Sequence, residues 1–242
     1  MDRKPTITPG KGLGNRLLSI ATASAIYKKF PDVYWHKNYE CNAEWYDLFI
    51  NPQLNILECD EDRYSLFSDK VHEISSIKNK MHEFLASAHQ RAERISAFDP
   101  LYKSLLPSDE VEKMIMEIPP NTLGLHLRLT DHLQMTTETY YKTAALVLLK
   151  TIKPDYIFIC GDTQYKKDEL IDLFPKDKVL YNKTYLTDII KPGFESEDRA
   201  SLQGMQLATA EMFTLSKCKW IYPNSLSSYS MASFFMGSAS LL

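Results

Sequence analysis

The stretch Leu123-Gly-Leu-His-Leu-Arg-Leu-Thr-Asp131 carries the strongest structural signal in this chain. Leucine recurs at every second position, which in a β-strand places the leucines on one face and Gly124, His126 and Arg128 on the other. A histidine and an arginine on one face of an interior strand are costly to bury unless a charged group meets them. Both lie toward the carboxyl end of the strand, where open α/β sheets bind ligands. We therefore expect an anion clamp in which Arg128 contacts phosphate oxygens; an exposed edge strand with a polar outer face is the alternative.

Strand and helix patterns alternate on both sides of this stretch. The predicted elements are strands at 5–8, 33–35, 54–58, 123–129, 156–160, 179–181 and 220–222, and helices at 17–26, 45–49, 109–117, 139–149, 166–173, 201–215 and 228–236. Such alternation predicts an α/β fold with parallel sheets and helices on both faces. The pair Pro119-Pro120 marks the predicted boundary between an N-terminal domain, 1–118, and a C-terminal domain, 119–242.

A glycine-rich turn, Gly10-Lys-Gly-Leu-Gly-Asn-Arg16, separates the first predicted strand from the first helix. Glycines at this point let the backbone approach a ligand, and a helix N-terminus favours an anion. The turn lacks the GKS or GKT of a P-loop, and Leu17 occupies the third glycine position of a dinucleotide fingerprint. A tight turn with Asn15 as the helix N-cap is the alternative to a ligand site.

Two more strand-to-helix turns are suited to anions or polar ligands. Asp162, in Cys160-Gly-Asp-Thr163, follows a predicted strand and suits either a ribose or base, or the cap of the next helix. The turn Asn224-Ser-Leu-Ser-Ser-Tyr-Ser230 offers hydroxyls and helix N–H groups to a phosphate. A plain N-cap at Ser227 or Ser228 is the alternative. Three such turns on one chain are stronger evidence for an anion-binding site than any one of them.

Composition excludes several classes of protein. The 242 residues are 44% hydrophobic, which is enough for a core, and the net charge of -3 disfavours general nucleic-acid binding. Four scattered cysteines, at 41, 59, 160 and 218, favour neither a disulfide scaffold nor a zinc site, and we expect a cytoplasmic protein. Residues 220–242 carry no charge but contain seven serines, so we expect no membrane span.

With these residues in view, the chain resembles the fucosyltransferase superfamily that includes α-1,6-fucosyltransferases, rhizobial nodulation fucosyltransferases and protein O-fucosyltransferases. The matching motifs come in the family's order: Gly12-Leu-Gly-Asn-Arg16, His126-Leu-Arg-Leu-Thr-Asp131, Ile157-Phe-Ile-Cys-Gly-Asp162 and Ser227-Ser-Tyr-Ser230. The resemblance implies a compact GT-B-like fold, in which two Rossmann-type domains face a cleft. It also implies a nucleotide-sugar donor and a glycan or other hydroxyl acceptor, no metal, and inversion at the anomeric carbon.

The resemblance also implies roles for individual residues. Arg128 and Asp131 would be catalytic, with Arg128 on the donor β-phosphate and Asp131 as the best candidate for the base. The donor would be bound by Gly12, Gly14, Asn15, Arg16, His126, Asp162, Ser227, Ser228 and Tyr229. The expected donor is GDP-L-fucose, with another deoxyhexose such as L-rhamnose as an option. Leu129 and His132 depart from the α-1,6 pattern, which has arginine and lysine there.

Two other functions remain open from the sequence. Asp60-Glu-Asp62 follows a predicted strand, and a DxD in this place is how metal-dependent GT-A glycosyltransferases hold Mn²⁺ or Mg²⁺ against a diphosphate. A non-catalytic module that binds a nucleotide or glycan would keep the anion-binding turns, although the Arg128 and Asp131 pair disfavours it. Glu44 and Asp47 are weaker candidates for the base.

Overall fold

The computed structural model describes residues 6–51, 53–57, 99–127, 138–161, 164–183, 200–223, 227–238 and 240–241. Two parallel sheets organise these residues. No helix among them is long and apolar enough to cross a membrane.

The first sheet has three parallel strands in the order β1-β2-β4, with β1 at Thr6–Ile7, β2 at Asp32–Tyr34 and β4 at Asn55–Leu57. Helix α1, Leu13–Tyr27, connects β1 to β2 and buries an apolar face against this sheet. The helix ends at Lys28, which takes the left-handed conformation at φ 53°. This β1-α1-β2 unit confirms the predicted opening of the fold.

The second sheet has five strands, all parallel, in the order β10-β9-β6-β7-β8. They span β6 Thr122–Leu127, β7 Tyr156–Gly161, β8 Val179–Leu180, β9 Trp220–Pro223 and β10 Ser240–Leu241. The helices of this half follow as α4 Glu138–Ile152, α5 Gln164–Ile171, α6 Leu202–Ser216 and α7 Ser228–Met236. The predicted α/β class with parallel sheets is confirmed.

Strand β6 lies at the centre of the second sheet, and all six of its residues are buried. Its leucines pack in one core cluster with Ala145 of α4 and Leu170 of α5. On the opposite face, a Cβ atom at Gly124 would lie only 2.3 Å from Leu215 of α6. The two-faced pattern is therefore as predicted, and the alternative of an exposed edge strand is wrong.

Short elements connect the two sheets. Strand β3, Phe49–Ile50, pairs antiparallel with β5, Leu106–Pro107, next to the one-turn helices α2, Trp45–Leu48, and α3, Asp109–Glu112. The sequence did not predict the β3–β5 pair or β10, and it extended α3 to 117. Residues 58–98 lie outside the described part, and residues 99–104 are helical.

The core beneath the first sheet also draws on the C-terminal helices. Met205 and Met212 of α6 and Phe235 of α7 pack in one cluster with Leu17 and Ile20 of α1. Helices α6 and α7 therefore bridge the two sheets and bring the start of α7 against the start of α1. The domain boundary at 118/119 stays a prediction.

Candidate functional site

The glycine-rich turn leads directly into the start of α1. Gly12 is the N-cap at φ -71° and ψ 167°; as a glycine it has no side chain to cap the helix, and the first turn contains no acidic residue. The alternative of Asn15 as the helix N-cap is wrong, since Asn15 lies inside the helix and donates its backbone N–H to the Gly12 carbonyl at 3.0 Å. The first turn of α1 therefore carries the positive end of the helix dipole, and no acidic residue of that turn offsets it.

Arg16 ties this turn to the end of β2. Its Nε donates to the Lys11 carbonyl and its Nη1 to the His36 carbonyl, both at 2.7 Å, and its guanidinium carbon lies 4.7 Å from the Trp35 ring centroid. The side chain is fully buried. Burial first, and then the Arg16 charge, lower the pKa of His36. Arg16 therefore holds the turn in shape; its predicted contact with a donor stays a prediction.

Gly14 is required by a close approach between two helices. A Cβ atom here would lie 2.6 Å from the backbone nitrogen of Tyr229 and 2.9 Å from the Ser228 hydroxyl oxygen. By contrast, a Cβ atom at Gly10 or Gly12 would meet nothing within 4 Å. The sequence predicts that these glycines admit a ligand. At Gly14 the described neighbour is instead the start of α7.

The N-cap residue of α7 likewise leaves its helix without a side-chain cap. Ser227 is its N-cap, yet the hydroxyl makes no capping hydrogen bond, and the first turn contains no acidic residue. Ser227 is 3% exposed, and its Oγ has no hydrogen-bond partner among the residues that the structure describes. The next hydroxyl, of Ser228, donates to the Asn15 side-chain oxygen at 3.1 Å. Two uncapped helix N-termini therefore meet.

His126 of β6 lies against this junction. Its Nδ1 is 2.6 Å from the Ser230 hydroxyl oxygen, and its ring stacks on Tyr229 with centroids 4.6 Å apart at 23°. The residue is only 4% exposed. The structure thus brings the glycine-rich turn, His126 and the serine turn together, as the sequence predicted for the geometry of the site.

Tyr229 is itself fixed at both ends. Its ring faces His126, and its hydroxyl donates to the Ala208 carbonyl of α6 at 2.5 Å. Burial raises the pKa of Tyr229 well above its usual value, and the neighbouring Cys160 and Glu211 raise it further. Tyr229 is therefore a neutral phenol that anchors α7 to α6.

Sequence reasoning missed a buried ion pair near this cluster. Lys167 of α5 lies 3.1 Å from the Glu211 carboxylate of α6, and both side chains are 5% exposed. Glu211 also raises the pKa of Cys160, after the larger effect of burial. The available signal was that Glu211 is the one charged residue of α6. Nothing in the sequence linked it to Lys167, which lies 44 positions earlier.

Several predicted residues lie outside the described part of the chain. These are both predicted catalytic residues, Arg128 and Asp131, together with Asp162 and the Asp60 and Asp62 pair. Their roles stay predictions.

The weaker candidates for the base have local roles instead. Glu44 and Asp47 cap α2 reciprocally, with the Glu44 backbone N–H donating to the Asp47 carboxylate at 2.7 Å. Glu44 also pairs with Lys37 at 3.1 Å. Among the described residues, no group of three or more His, Cys, Asp or Glu side chains is placed to hold a metal ion.

Two parallel α/β sheets, with turns at their carboxyl ends meeting at one place, define a GT-B-like architecture. No protein-family model matches the chain, and no curated protein sequence matches it. Solved structures do match in fold. The fucosyltransferase NodZ from Bradyrhizobium is 14% identical, with a TM-score of 0.63 over 97% of this chain and 94% of that one.

Two further structures extend the comparison. The NodZ alpha-1,6-fucosyltransferase soaked with GDP-fucose has a TM-score of 0.60 at 14% identity, over 97% of this chain and 93% of that one. A mutant of Arabidopsis thaliana FUT1 in complex with GDP has a TM-score of 0.56 at 11% identity, over 99% of this chain and 70% of that one. The chain therefore has the fold of these fucosyltransferases, which confirms the resemblance inferred from its motifs at the level of fold.

Proposed function

We propose that this protein is a metal-independent, inverting glycosyltransferase that moves a deoxyhexose from a nucleoside diphosphate sugar to a hydroxyl group of a glycan or similar acceptor. One observation carries the proposal. The uncapped N-termini of α1 and α7 meet beside His126, with the buried Ser227 hydroxyl lacking a partner among the described residues.

The electrostatics of this junction suit a diphosphate. Each helix N-terminus carries a partial positive charge and N–H groups without intrahelical acceptors. Neither first turn contains an acidic residue that would neutralise this charge. A phosphate group supplies the acceptors that the N–H groups and the Ser227 hydroxyl need.

The chemistry follows from the leaving group. In the transfer, the bond between the anomeric carbon and the diphosphate oxygen breaks while the acceptor oxygen bonds to the opposite face of that carbon. Negative charge grows on the departing nucleoside diphosphate, and donors placed in advance stabilise it. By resemblance, Arg128 supplies the main positive charge. Asp131 takes the proton of the acceptor hydroxyl.

L-Fucose carried by GDP is the first candidate for the donor. It is supported by the fold, since the matching NodZ structure was soaked with GDP-fucose and the matching FUT1 structure is a complex with GDP. L-Rhamnose remains the second option, because it is also a deoxyhexose and differs from fucose only in the arrangement of its hydroxyl groups.

The test is a panel of GDP-sugars and UDP-sugars scored by thermal shift. A ligand at 100 times its Kd stabilises the native state by about 2.7 kcal/mol, so we expect GDP-fucose to raise the apparent Tm clearly. Release of GDP is then assayed with a glycan acceptor, with and without EDTA. Transfer that survives EDTA supports the proposal.

Other outcomes are equally informative. Selective stabilisation by UDP-sugars together with loss of transfer in EDTA would favour the metal-dependent alternative at Asp60 and Asp62. Binding without nucleotide release, with acceptor present, would favour a non-catalytic module. Absence of stabilisation by every nucleotide sugar would refute the proposed function.

A further inference from the structure

Ser230 forms a buried cluster with His126 and Tyr229, and the sequence did not predict the contact of its hydroxyl. Ser230 is the third residue of α7 and is fully buried. Its Oγ lies 2.6 Å from His126 Nδ1, which is its hydrogen-bond partner within the described part of the chain. A buried hydroxyl carries one proton that needs an acceptor, because leaving it unsatisfied costs the full desolvation of the group. The direction of this hydrogen bond is therefore set by the serine.

The direction decides the protonation state of the ring. If Nδ1 carried a proton, Nδ1–H would donate to the serine oxygen and the serine proton would lose its acceptor. If the serine O–H donates to Nδ1, both groups are satisfied and the ring proton resides on Nε2. A positively charged ring is disfavoured by the same reasoning, since both of its nitrogens are donors.

The face of the ring is restrained by the adjacent residue of the same helix. Tyr229 stacks on His126, and its hydroxyl is held by the Ala208 carbonyl. Ser230 contacts the edge of the His126 ring at Nδ1, and Tyr229 packs on its face, so two consecutive residues of α7 fix the imidazole. Because Ser227 and Ser228 open the same helix, the orientation of the ring is coupled to the helix end that faces the proposed diphosphate site.

We propose that Ser230 is a positioning residue that holds His126 as the neutral imidazole with its proton on Nε2, so that the ring enters donor binding in a fixed orientation and without a positive charge. The ligand part of this proposal rests on the proposed function; the tautomer does not. In this arrangement the positive charge at the site comes from the helix N-termini and Arg128, and His126 serves to orient the ligand.

The first experiment reads the tautomer in the protein without any ligand. The chain is labelled with ¹⁵N at its histidine rings, and His126→Gln identifies the signal of His126 by NMR. At neutral pH we expect an unprotonated Nδ1 and a protonated Nε2 in the wild type. Ser230→Thr should retain this pattern, whereas Ser230→Ala should lose it. A wild-type ring protonated on Nδ1, or an unchanged pattern in Ser230→Ala, would overturn the proposal.

The second experiment separates positioning from packing through steady-state kinetics with GDP-fucose. Ser230→Ala should raise KM for the donor by about tenfold, as for the loss of one hydrogen bond, with a smaller change in kcat. Ser230→Thr should restore KM. The matched control is Ser233→Ala on the same helix, which should leave KM unchanged, because among the described residues Ser233 Oγ donates to the Tyr229 carbonyl, at 3.3 Å, and not to His126.

The two experiments fail separately. If the wild type binds no nucleotide sugar, the proposed function fails while the tautomer result stands. If Ser230→Ala changes the tautomer but leaves KM for the donor unchanged, the role in donor binding is refuted and the proposed function survives. An equal rise of KM in Ser233→Ala would reduce Ser230 to a packing residue.

Discussion

Helices α3 and α7 both follow a serine, yet they begin in opposite ways. Ser108 caps α3 by accepting the Val111 N–H at 3.4 Å, and three acidic residues fill the first turn. Ser227 precedes α7 with no capping bond and no acidic residue in that turn. The first helix start is capped and its dipole is offset by acidic residues, while the second has neither feature. The same residue in the same position therefore caps its helix in one place and keeps its hydroxyl unused in the other, and only the second suits the proposed diphosphate site.

The largest expected effect concerns the buried ion pair between α5 and α6, whose Glu211 also acts on Tyr229 of α7. Lys167→Met would leave the buried Glu211 carboxylate unpaired, and breaking such a pair typically costs about 3–5 kcal/mol in the free energy of unfolding. Urea denaturation measures this loss. The double variant Lys167→Met/Glu211→Gln should recover much of it, because no charge is then left buried.

The control is a more exposed ion pair of the same residue types. Lys142 and Glu169 lie 2.8 Å apart with side chains 28% and 25% exposed. Lys142→Met should cost about 1 kcal/mol or less. Equal losses in the two lysine variants would show that the Lys167–Glu211 pair is not a special support of the site.

The second prediction concerns charge at the junction. The helix N-termini carry only partial charge, so most of the stabilisation of the leaving group is expected from Arg128. Arg128→Ala should therefore lower the transfer rate by about 100-fold or more, while the Tm stays near that of the wild type. Single-turnover transfer from the donor measures the effect. Near wild-type transfer by a folded Arg128→Ala variant would contradict the catalytic role predicted for this residue.

The third prediction compares the effects of replacing Gly14 and Gly10 by alanine. Gly14→Ala would push a methyl group into the backbone of α7, so we expect a loss of about 1–3 kcal/mol in stability and weaker donor binding as α1 and α7 move apart. Gly10→Ala is the control, since its Cβ would meet nothing within 4 Å. Thermal melts and donor titrations on both variants decide the matter. A Gly14→Ala variant as stable as Gly10→Ala would disprove the close contact between the helices.

The sequence predicted the strands and helices whose apolar residues recur at a regular spacing. The two faces of β6 follow from alternating leucines, and the bounds of α7 were predicted at 228–236 because its apolar residues recur at helical spacing. The same reasoning missed β3, β5 and β10, each of two residues. Their positions depend on partners distant in the chain.

The sequence predicted which turns form the candidate site, but not the contacts between them. The motifs located the turns around Gly12, His126 and Ser227, because strand-to-helix junctions of parallel sheets meet at one edge. They did not indicate that Gly14 serves a helix contact, or that Ser230 bonds to His126 across 104 positions. Such contacts depend on tertiary packing, which local pattern does not encode.

The last and smallest prediction tests the contrast between the two serines directly. Ser108→Ala removes a cap and the hydrogen bond from its hydroxyl to the Asp47 carbonyl, so stability should fall by about 1 kcal/mol while donor affinity stays unchanged. Ser227→Ala removes a buried hydroxyl that has no partner in the described structure, so stability should change little. The affinity of Ser227→Ala for the donor should instead fall by about tenfold, because the proposed hydrogen bond from the hydroxyl to a phosphate is lost.

The two variants therefore form a crossed design, with each serving as the control for the other. Chemical denaturation and calorimetric titration with GDP on both proteins give the four numbers needed. If Ser227→Ala lost stability and kept its affinity for GDP, both helices would begin with ordinary structural serines, and the junction of α1 and α7 would no longer qualify as the diphosphate site. The crossed result, by contrast, cannot arise from packing alone, since a packing defect lowers stability in whichever protein carries it.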